Sequence, residues 1–363
     1  MATQASYLRK VMFSLFDKEA TYDAGPAAWT TGSACQMSEY AAASKVQWDD
    51  EVAADGDSIS GQEMATHQEL VRQGVKLSYE EPRAKPNTLA GMMALALGTV
   101  ASTQDGTETA YRHKVSMASA MTLPSIGAQV QHESGVQYKY TGLKASGFTL
   151  SRGGNDPFWS FSTEIIGSGK RVTAADAFVA AISESWLRWG DTKIYLKDTA
   201  GTPITVPTTP SQTAANLGGS EVNISSRILG CSIKLDNAHA GEMGYRAGSG
   251  MTRVSLHPTR RSATVEFSLE CDTAEEANDI ARYVSQTKLA MEINCNSGVL
   301  VDTTGGAFFY GFIILIPFMQ LQPFERSEES ERDTMQFTGK VLSDLTNPAL
   351  VGFVYNVRSG YLA

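Results

Sequence analysis

Apolar and polar positions alternate with a period of two along most of the chain. Val75, Leu77 and Tyr79 alternate with Lys76, Ser78 and Glu80. Val265, Phe267, Leu269 and Cys271 alternate with Glu266, Ser268 and Glu270, and Leu289, Met291, Ile293 and Cys295 with Ala290, Glu292 and Asn294. Each run predicts a strand with one wet face. Residues 138–145, 147–151 and 158–166 read as consecutive strands, with the Gly153–Pro157 turn between the last two. This is the pattern of an antiparallel meander.

Three segments carry helical spacing instead. Thr88–Leu97 sets Leu89, Met92, Met93 and Ala96 on one side, with Gly98 beyond its end. Ala174–Trp189 has a Thr173-x-x-Asp176 start, a stripe of Phe178, Ile182, Ser185 and Trp189, and Gly190 as a stop. Ala274–Gln286 opens on a Thr273-x-x-Glu276 capping box, and Ala277, Ile280, Ala281 and Val284 form its stripe. So few helices among so many strands exclude a doubly wound α/β sheet. The expected fold class is mainly β, an antiparallel sandwich or barrel with a few short flanking helices.

Residues 199–220 hold three of the 12 prolines and almost no charge, which predicts a linker or extended arm. Similar element orders flank it. Strand 75–80, helix 88–97 and strand 111–118 precede it; strand 265–271, helix 274–286 and strand 289–295 follow. A proline-bearing strand then closes each series, at Pro124 and at Pro317. This predicts a duplicated fold. The expected boundaries are an N-terminal half over 1–198, the arm over 199–220, a C-terminal half over 221–345 and a C-terminal arm over 346–363.

Charge narrows the function classes. The 363 residues carry 30 basic and 39 acidic side chains, a net charge of −9. That balance argues against a protein that grips nucleic acid through its phosphates. The strongest apolar run, Ala307–Phe318, has 12 residues and contains Gly311 and Pro317, too short to span a bilayer as a helix. No export signal is read at the N-terminus, so the expected place of synthesis is the cytoplasm. Cys35, Cys231, Cys271 and Cys295 show no metal spacing and read as small buried residues. The five histidines are scattered likewise, so neither metal nor cofactor is expected.

Three blocks raise an enzyme alternative. Gly56-Asp-Ser58, Gly153-Gly-Asn155-Asp156 and Asp236-Asn-Ala-His239 resemble, in order, the motifs of SGNH-type hydrolases. Ser58 would attack an ester, His239 would be its base, Asp236 would orient the imidazole, and Asn155 would donate to the oxyanion. The setting is wrong for this chemistry. Ser58 follows an acidic turn rather than a buried strand, and Asn155 sits at a hairpin tip. Gly167-Ser-Gly-Lys-Arg171 also lacks the Gly and the Ser or Thr of a phosphate loop. The mixed-charge run Glu325, Arg326, Glu328, Glu329, Glu331, Arg332 reads as a hairpin tip or subunit-contact loop beside the anchor Phe324.

A family likeness organises these features. Tyr111-Arg-His113, Leu123-Pro-Ser125, the Tyr140-Thr-Gly142-Leu-Lys144 to Leu150 hairpin, the Gly167-Ser-Gly169 strand end and Ile228–Asn237 resemble the tail tube (major tail) proteins of long-tailed bacteriophages. The likeness spans roughly 75 to 345. It implies a tube fold whose copies join their sheets into closed rings, stacked into a hollow tail through which DNA is ejected. A duplicated fold implies trimeric rings that imitate six-fold symmetry; a single fold would imply hexamers. Implied partners are further copies of the chain, a tape-measure protein, and tail terminator or distal tail proteins. DNA would pass without specific binding, and the protein would belong to the virion tail, assembled in the host cytoplasm. A distal tail protein or the inner tube of a contractile tail is the alternative within this class. Glu80, Glu266, Glu270 and Glu292 are then candidates to face the channel. The charged run, with Gly153, Asn155 and Asp156, is a candidate for contacts between subunits.

Overall fold

The computed structural model describes residues 9–26, 29, 36–37, 45–54, 68–118, 123–132, 134–152, 156–174, 176–182, 184–240, 244–248, 250–272, 275–303, 306–329, 332–343 and 347–363. The first strands are β1 (Lys10–Phe13), β2 (Gln36–Met37), β3 (Lys45–Trp48), β4 (Glu51–Ala54), β5 (Gln68–Arg72) and β6 (Val75–Glu81). Helix α1 (Pro86–Leu97) follows. Next come β7 (Gly98–Gln104), β8 (Tyr111–Met117), β9 (Ile126–Gln131), β10 (Gln137–Arg152), β11 (Ser160–Gly167), β12 (Arg171–Ala174) and β13 (Thr192–Asp198). After the arm lie β14 (Val222–Asn223), β15 (Ile228–Asp236) and β16 (Ser262–Glu270), then α2 (Glu276–Val284). The chain ends with β17 (Leu289–Leu300), β18 (Phe309–Leu321), β19 (Glu325–Glu329), β20 (Arg332–Val341) and β21 (Val351–Asn356). All the described pairings are antiparallel, and the expected mainly β class holds.

The main sheet runs β3-β6-β11-β10-β15-β16-β20-β19. A back layer runs β14-β13-β17-β18-β21-β8-β7. A side sheet runs β2-β1-β9-β10-β12. The predicted strands over 138–145 and 147–151 are one strand, not two. β10 serves the side sheet with residues 137–143 and the main sheet with 144–152, bending at register shifts after Tyr140 and Ala145. The buried Glu19 carboxylate fixes the first bend by accepting the Gly142 N–H at 2.8 Å. Gly142 has φ +66°, which favours a residue without Cβ. β18 makes a similar change of partner, pairing β17 and β21 and then β20 through Met319–Leu321.

Helix α1 fills the space between layers. It packs against β10 in front and β7, β8, β18 and β21 behind, and all twelve of its residues are buried. Pro86 starts it, where a missing N–H costs nothing. Gly98, at φ +103°, ends it. Its final carbonyls are met from the C-terminal half of the chain. Arg261 donates to the Ala96, Leu97 and Ala118 carbonyls, and Asn237 Nδ2 to those of Ala96 and Ala145.

The arm over 199–220 is extended and covers the outer face of the back layer. Ile204 and Leu217 bury there beside Ile313, Leu315 and Phe353. β18 is therefore covered on both faces, which accounts for its unbroken apolar run. Among the described residues, no α-helix forms over the expected range 174–189. Phe178 packs near Met12, Trp186 against Phe158, and Leu187 exchanges backbone hydrogen bonds with Ala84 and Trp159. Those anchors lie on different elements, so tertiary docking overrides the helical spacing. Only a short 3₁₀ turn, Trp189–Asp191, remains. The third helix forms over Glu276–Val284; Thr273 of its expected capping box lies outside the described residues.

A buried polar chain holds the C-terminal tail to the start of α1. His113 Nε2 donates to Asn356 Oδ1, Asn356 Nδ2 to the Tyr361 hydroxyl, and that hydroxyl to Asn87 Oδ1. His113 Nδ1 then accepts from Ser102, as a neutral imidazole can. Burial lowers the His113 pKa from 6.5 to about 4.

Two outcomes are expected of the dissociated subunit. Arg261→Ala lowers the unfolding free energy by about 2 kcal/mol, because it strips a charged donor from buried carbonyls; a denaturant titration reads this. His113 is harder to protonate folded than unfolded, so its contribution is complete above pH 6.5 and declines as pH falls toward 4. Across that window the wild type loses about 3 kcal/mol relative to His113→Gln; equal pH slopes would refute the assignment.

Candidate functional site

The main sheet has one apolar face and one polar face, and the register aligns the polar side chains in rows. One row runs Glu80, Ser162, Thr149, Lys234, Thr264, Lys340. The next on one side runs Ser78, Glu164, Gly147, Asp236, Ser262. On the other side run Ser160, Ser151, Ser232, Glu266, Thr338. Beyond them lie Ser268 and Gln336, then Glu270 opposite Thr334. The opposite face carries Leu77, Tyr79, Phe148, Phe161, Ile233, Val265 and Phe337, all buried. Strict period-two alternation makes both faces from the same strands.

Hydroxyl groups dominate the polar face. Its charged positions are Lys45, Lys76, Lys234, Lys340 and Arg332 against Glu80, Glu164, Asp236, Glu266, Glu270, Glu325 and Glu329, an excess of two acids. Lys234 Nζ and Glu266 pair at 2.8 Å with both ends half exposed, so the pair adds little stability. Four of the five cations in these rows are lysines; the fifth, Arg332, stands opposite Glu329 at the end of the β19–β20 hairpin.

Three of the four expected acids, Glu80, Glu266 and Glu270, share this face. Glu292 does not: it lies on β17 in the back layer, fully buried beneath the arm. Its two carboxylate oxygens accept the backbone N–H and the Nδ2 of Asn216, each at 2.6 Å. Burial raises its pKa above the ordinary carboxylate value. The sequence pattern of β17 hides this, because a wet face and a face covered by a polar arm alternate alike. Glu164 and Asp236 were missed as sheet acids, although the alternation Ser160, Ser162, Glu164 carries the signal.

The charged run is a hairpin rather than a loop between strands. Glu325 lies opposite Gln336 and Glu329 opposite Arg332, with Glu328 between them on β19. Glu331 lies outside the described residues. Phe324 anchors the base against Tyr283 and Phe337, and Arg326 pairs with Glu276 of α2. Asp156 is exposed and caps the Phe158 N–H at 3.0 Å; Gly153 and Asn155 lie outside the described residues.

The hydrolase residues are not assembled. Asp236 Oδ1 accepts the Ala238 N–H at 2.7 Å, an ordinary Asx turn. His239 Nε2 meets the Ala145 carbonyl at 3.0 Å, and Asp236 is not among the partners of the ring. Burial lowers the His239 pKa. Ser58 and Asn155 lie outside the described residues. Gly169 of the loop-like 167–171 segment lies tight against a neighbouring strand end, where a Cβ would sit 2.3 Å from the Gln73 carbonyl oxygen. Cys231, Cys271 and Cys295 are free, and Cys231 and Cys295 are buried. Among the described residues no cluster of histidine, cysteine and acidic side chains could hold a metal ion. No described helix is long and apolar enough to cross a membrane.

What the site offers is an extended hydroxylated surface on a sheet whose outer strands, β3 and β19, each have one pairing partner in the main sheet. A search of curated proteins finds no match. Over residues 13–319, in contrast, the chain matches the family model of the phage tail tube protein, and it belongs to that family.

Proposed function

We propose that the chain is the repeating subunit of a hollow tail tube, with the polar face of the main sheet lining the channel. The observation that carries this reading is the order of the main sheet. It consists of two like units of four strands, β3-β6-β11-β10 and β15-β16-β20-β19. In each unit the second strand leads into a helix, and the last two strands form a hairpin. β10 of the first unit pairs β15 of the second. By the same rule β19 of one copy pairs β3 of the next. Three copies then close a barrel of roughly 24 strands, wide enough to leave a channel, and no sheet edge stays open. The ring is trimeric and imitates six-fold symmetry; hexamers are the alternative. Rings stack head to tail because a heterologous contact repeated along an axis gives a tube.

The surface chemistry supports passage rather than binding. Hydroxyls present no net charge to a phosphate, and the small acidic excess repels it. The role is structural, and Ser58, Asp236 and His239 are assigned no catalysis. The protein works in the virion tail after assembly in the host cytoplasm. Its partners there are its own copies, a tape-measure protein, and terminator or distal tail proteins.

Electron microscopy of the purified protein at high concentration tests the ring, with three-fold symmetry as the expected result. Placement of the face has its own test. Ser162→Cys in assembled tubes resists a maleimide carried on a large polymer, and dissociated subunits react. Equal labelling in both states would put the face outside the channel.

A further inference from the structure

Between β12 and the 3₁₀ turn the chain runs as a strap over 176–188. Among the described residues, none from 177 to 186 makes a backbone–backbone hydrogen bond. Asp176 ties one end, through its ion pair with Lys139 and its carbonyl to Gln129 Nε2. Leu187 ties the other, its N–H donating to the Ala84 carbonyl and its carbonyl accepting the Trp159 N–H. Between them Phe178 and Val179 pack near Met12, and Trp186 lies against Phe158. A segment with so few backbone bonds belongs to the part of a fold that opens most readily.

Glu184 attaches this strap to α1. Its Oε2 accepts the Asn87 N–H at 2.8 Å, and its Oε1 is buried with no hydrogen-bond partner among the described residues. α1 has no acidic residue in its first turn and no side-chain cap, so the carboxyls that meet it come from elsewhere. Glu81 supplies the second, accepting the Lys85 N–H at 3.0 Å and the Tyr79 hydroxyl at 2.8 Å. Glu81 is fixed within β6, whereas Glu184 stands on the strap. A buried oxygen without a donor costs far less on a neutral carboxyl than on a carboxylate. The other groups facing Glu184 are Lys85, Tyr310 on β18, and Arg358 and Tyr361 of the C-terminal tail. Burial raises the Glu184 pKa to about 8; the Glu81 charge adds to this, and the Asn87 N–H, Lys85 and Arg358 oppose it.

We infer that Glu184 is a proton-operated latch: its neutral carboxyl holds the strap on the start of α1, and the strap lifts as that carboxyl gives its proton to water. Lifting uncovers the first turn of α1 and separates Trp186 from Phe158 and from the Arg83 guanidinium, 5.0 Å from its ring. The latch belongs to the single subunit and does not depend on the tube reading. On the lifted strap the carboxyl titrates at its ordinary value of 4.5, and on the closed strap at about 8. The lifted fraction therefore grows with pH between those values and levels off above the higher one.

Hydrogen exchange of the full-length protein, wild type against Glu184→Gln, tests the latch. It is read at the Leu187 and Trp159 amides, which lose their acceptors when the strap lifts. Taking the ratio of the two chains at each pH cancels the base catalysis common to both. The ratio of wild type to variant rises by about tenfold per pH unit between about pH 5.5 and about pH 7.5, then flattens above about pH 8. If Glu184→Gln does not fold, the Leu187 rate divided by that of Val354, in the core of β21, carries the same test within the wild type. A ratio that stays flat would overturn the latch. So would an equal rise at Val354, which marks unfolding of the whole chain. A wild-type rise that Glu81→Gln removes and Glu184→Gln leaves in place would overturn it as well.

Discussion

A helix sealed inside the core must find partners for both of its ends there. The first N–H groups and last carbonyls of α1 have no intrahelical partners, and water does not reach them. The solution draws in distant parts of the chain. Asn87 N–H donates to Glu184, in the strap over 176–188 that leads to Leu187. Glu184 keeps its carboxyl enclosed although part of the residue reaches the surface. Burial pushes its pKa up to about 8, which leaves the carboxyl largely protonated at neutral pH. The far end belongs to Asn237 and Arg261, which flank the start of β16 in the C-terminal half. One helix thus fixes the strap, the C-terminal tail through Tyr361, and the junction where β10 meets β15. The continuous main sheet depends on that junction.

Much of this was legible because the main-sheet strands have one wet face. Alternation located β6, β16 and β17 closely; Lys76, Ser78 and Glu80 of β6 and the Ser, Thr and Glu positions of β16 fall on the polar face, while Glu81 at the end of β6 is buried. The signal failed where that condition failed. β17 and β18 are covered on both sides, by α1 and the core in front and by the arm behind, so alternation in β17 did not mean solvent. Glu292 was misplaced for that reason. The strap over 176–188 failed differently. Its stripe of Phe178, Ile182, Ser185 and Trp189 has helical spacing, yet Phe178, Trp186 and Leu187 dock on different neighbours, and no single-sequence rule contains those neighbours. β10 read as two strands because its two halves do belong to two sheets.

The same contrast explains why short motifs misled. Asp236 and His239 lie close in sequence at a strand end, where Asx turns and backbone caps are common uses for such residues. Their hydrogen bonds go to the Ala238 N–H and the Ala145 carbonyl. Catalysis would need them turned toward each other and toward a nucleophile. Side chains already committed to holding a turn are poorly free for that work.

The net charge of −9 carries less of the argument than its distribution. Only two units of acidic excess fall on the polar face, and five acids cluster between Glu51 and Glu69. A channel that relied on repulsion alone would need a dense acidic lining, and the self-repulsion of that lining would oppose ring closure. A hydroxylated lining avoids that conflict. Cross-strand Ser and Thr pairs tolerate close approach at a closing seam, where like charges directly opposite would destabilise it.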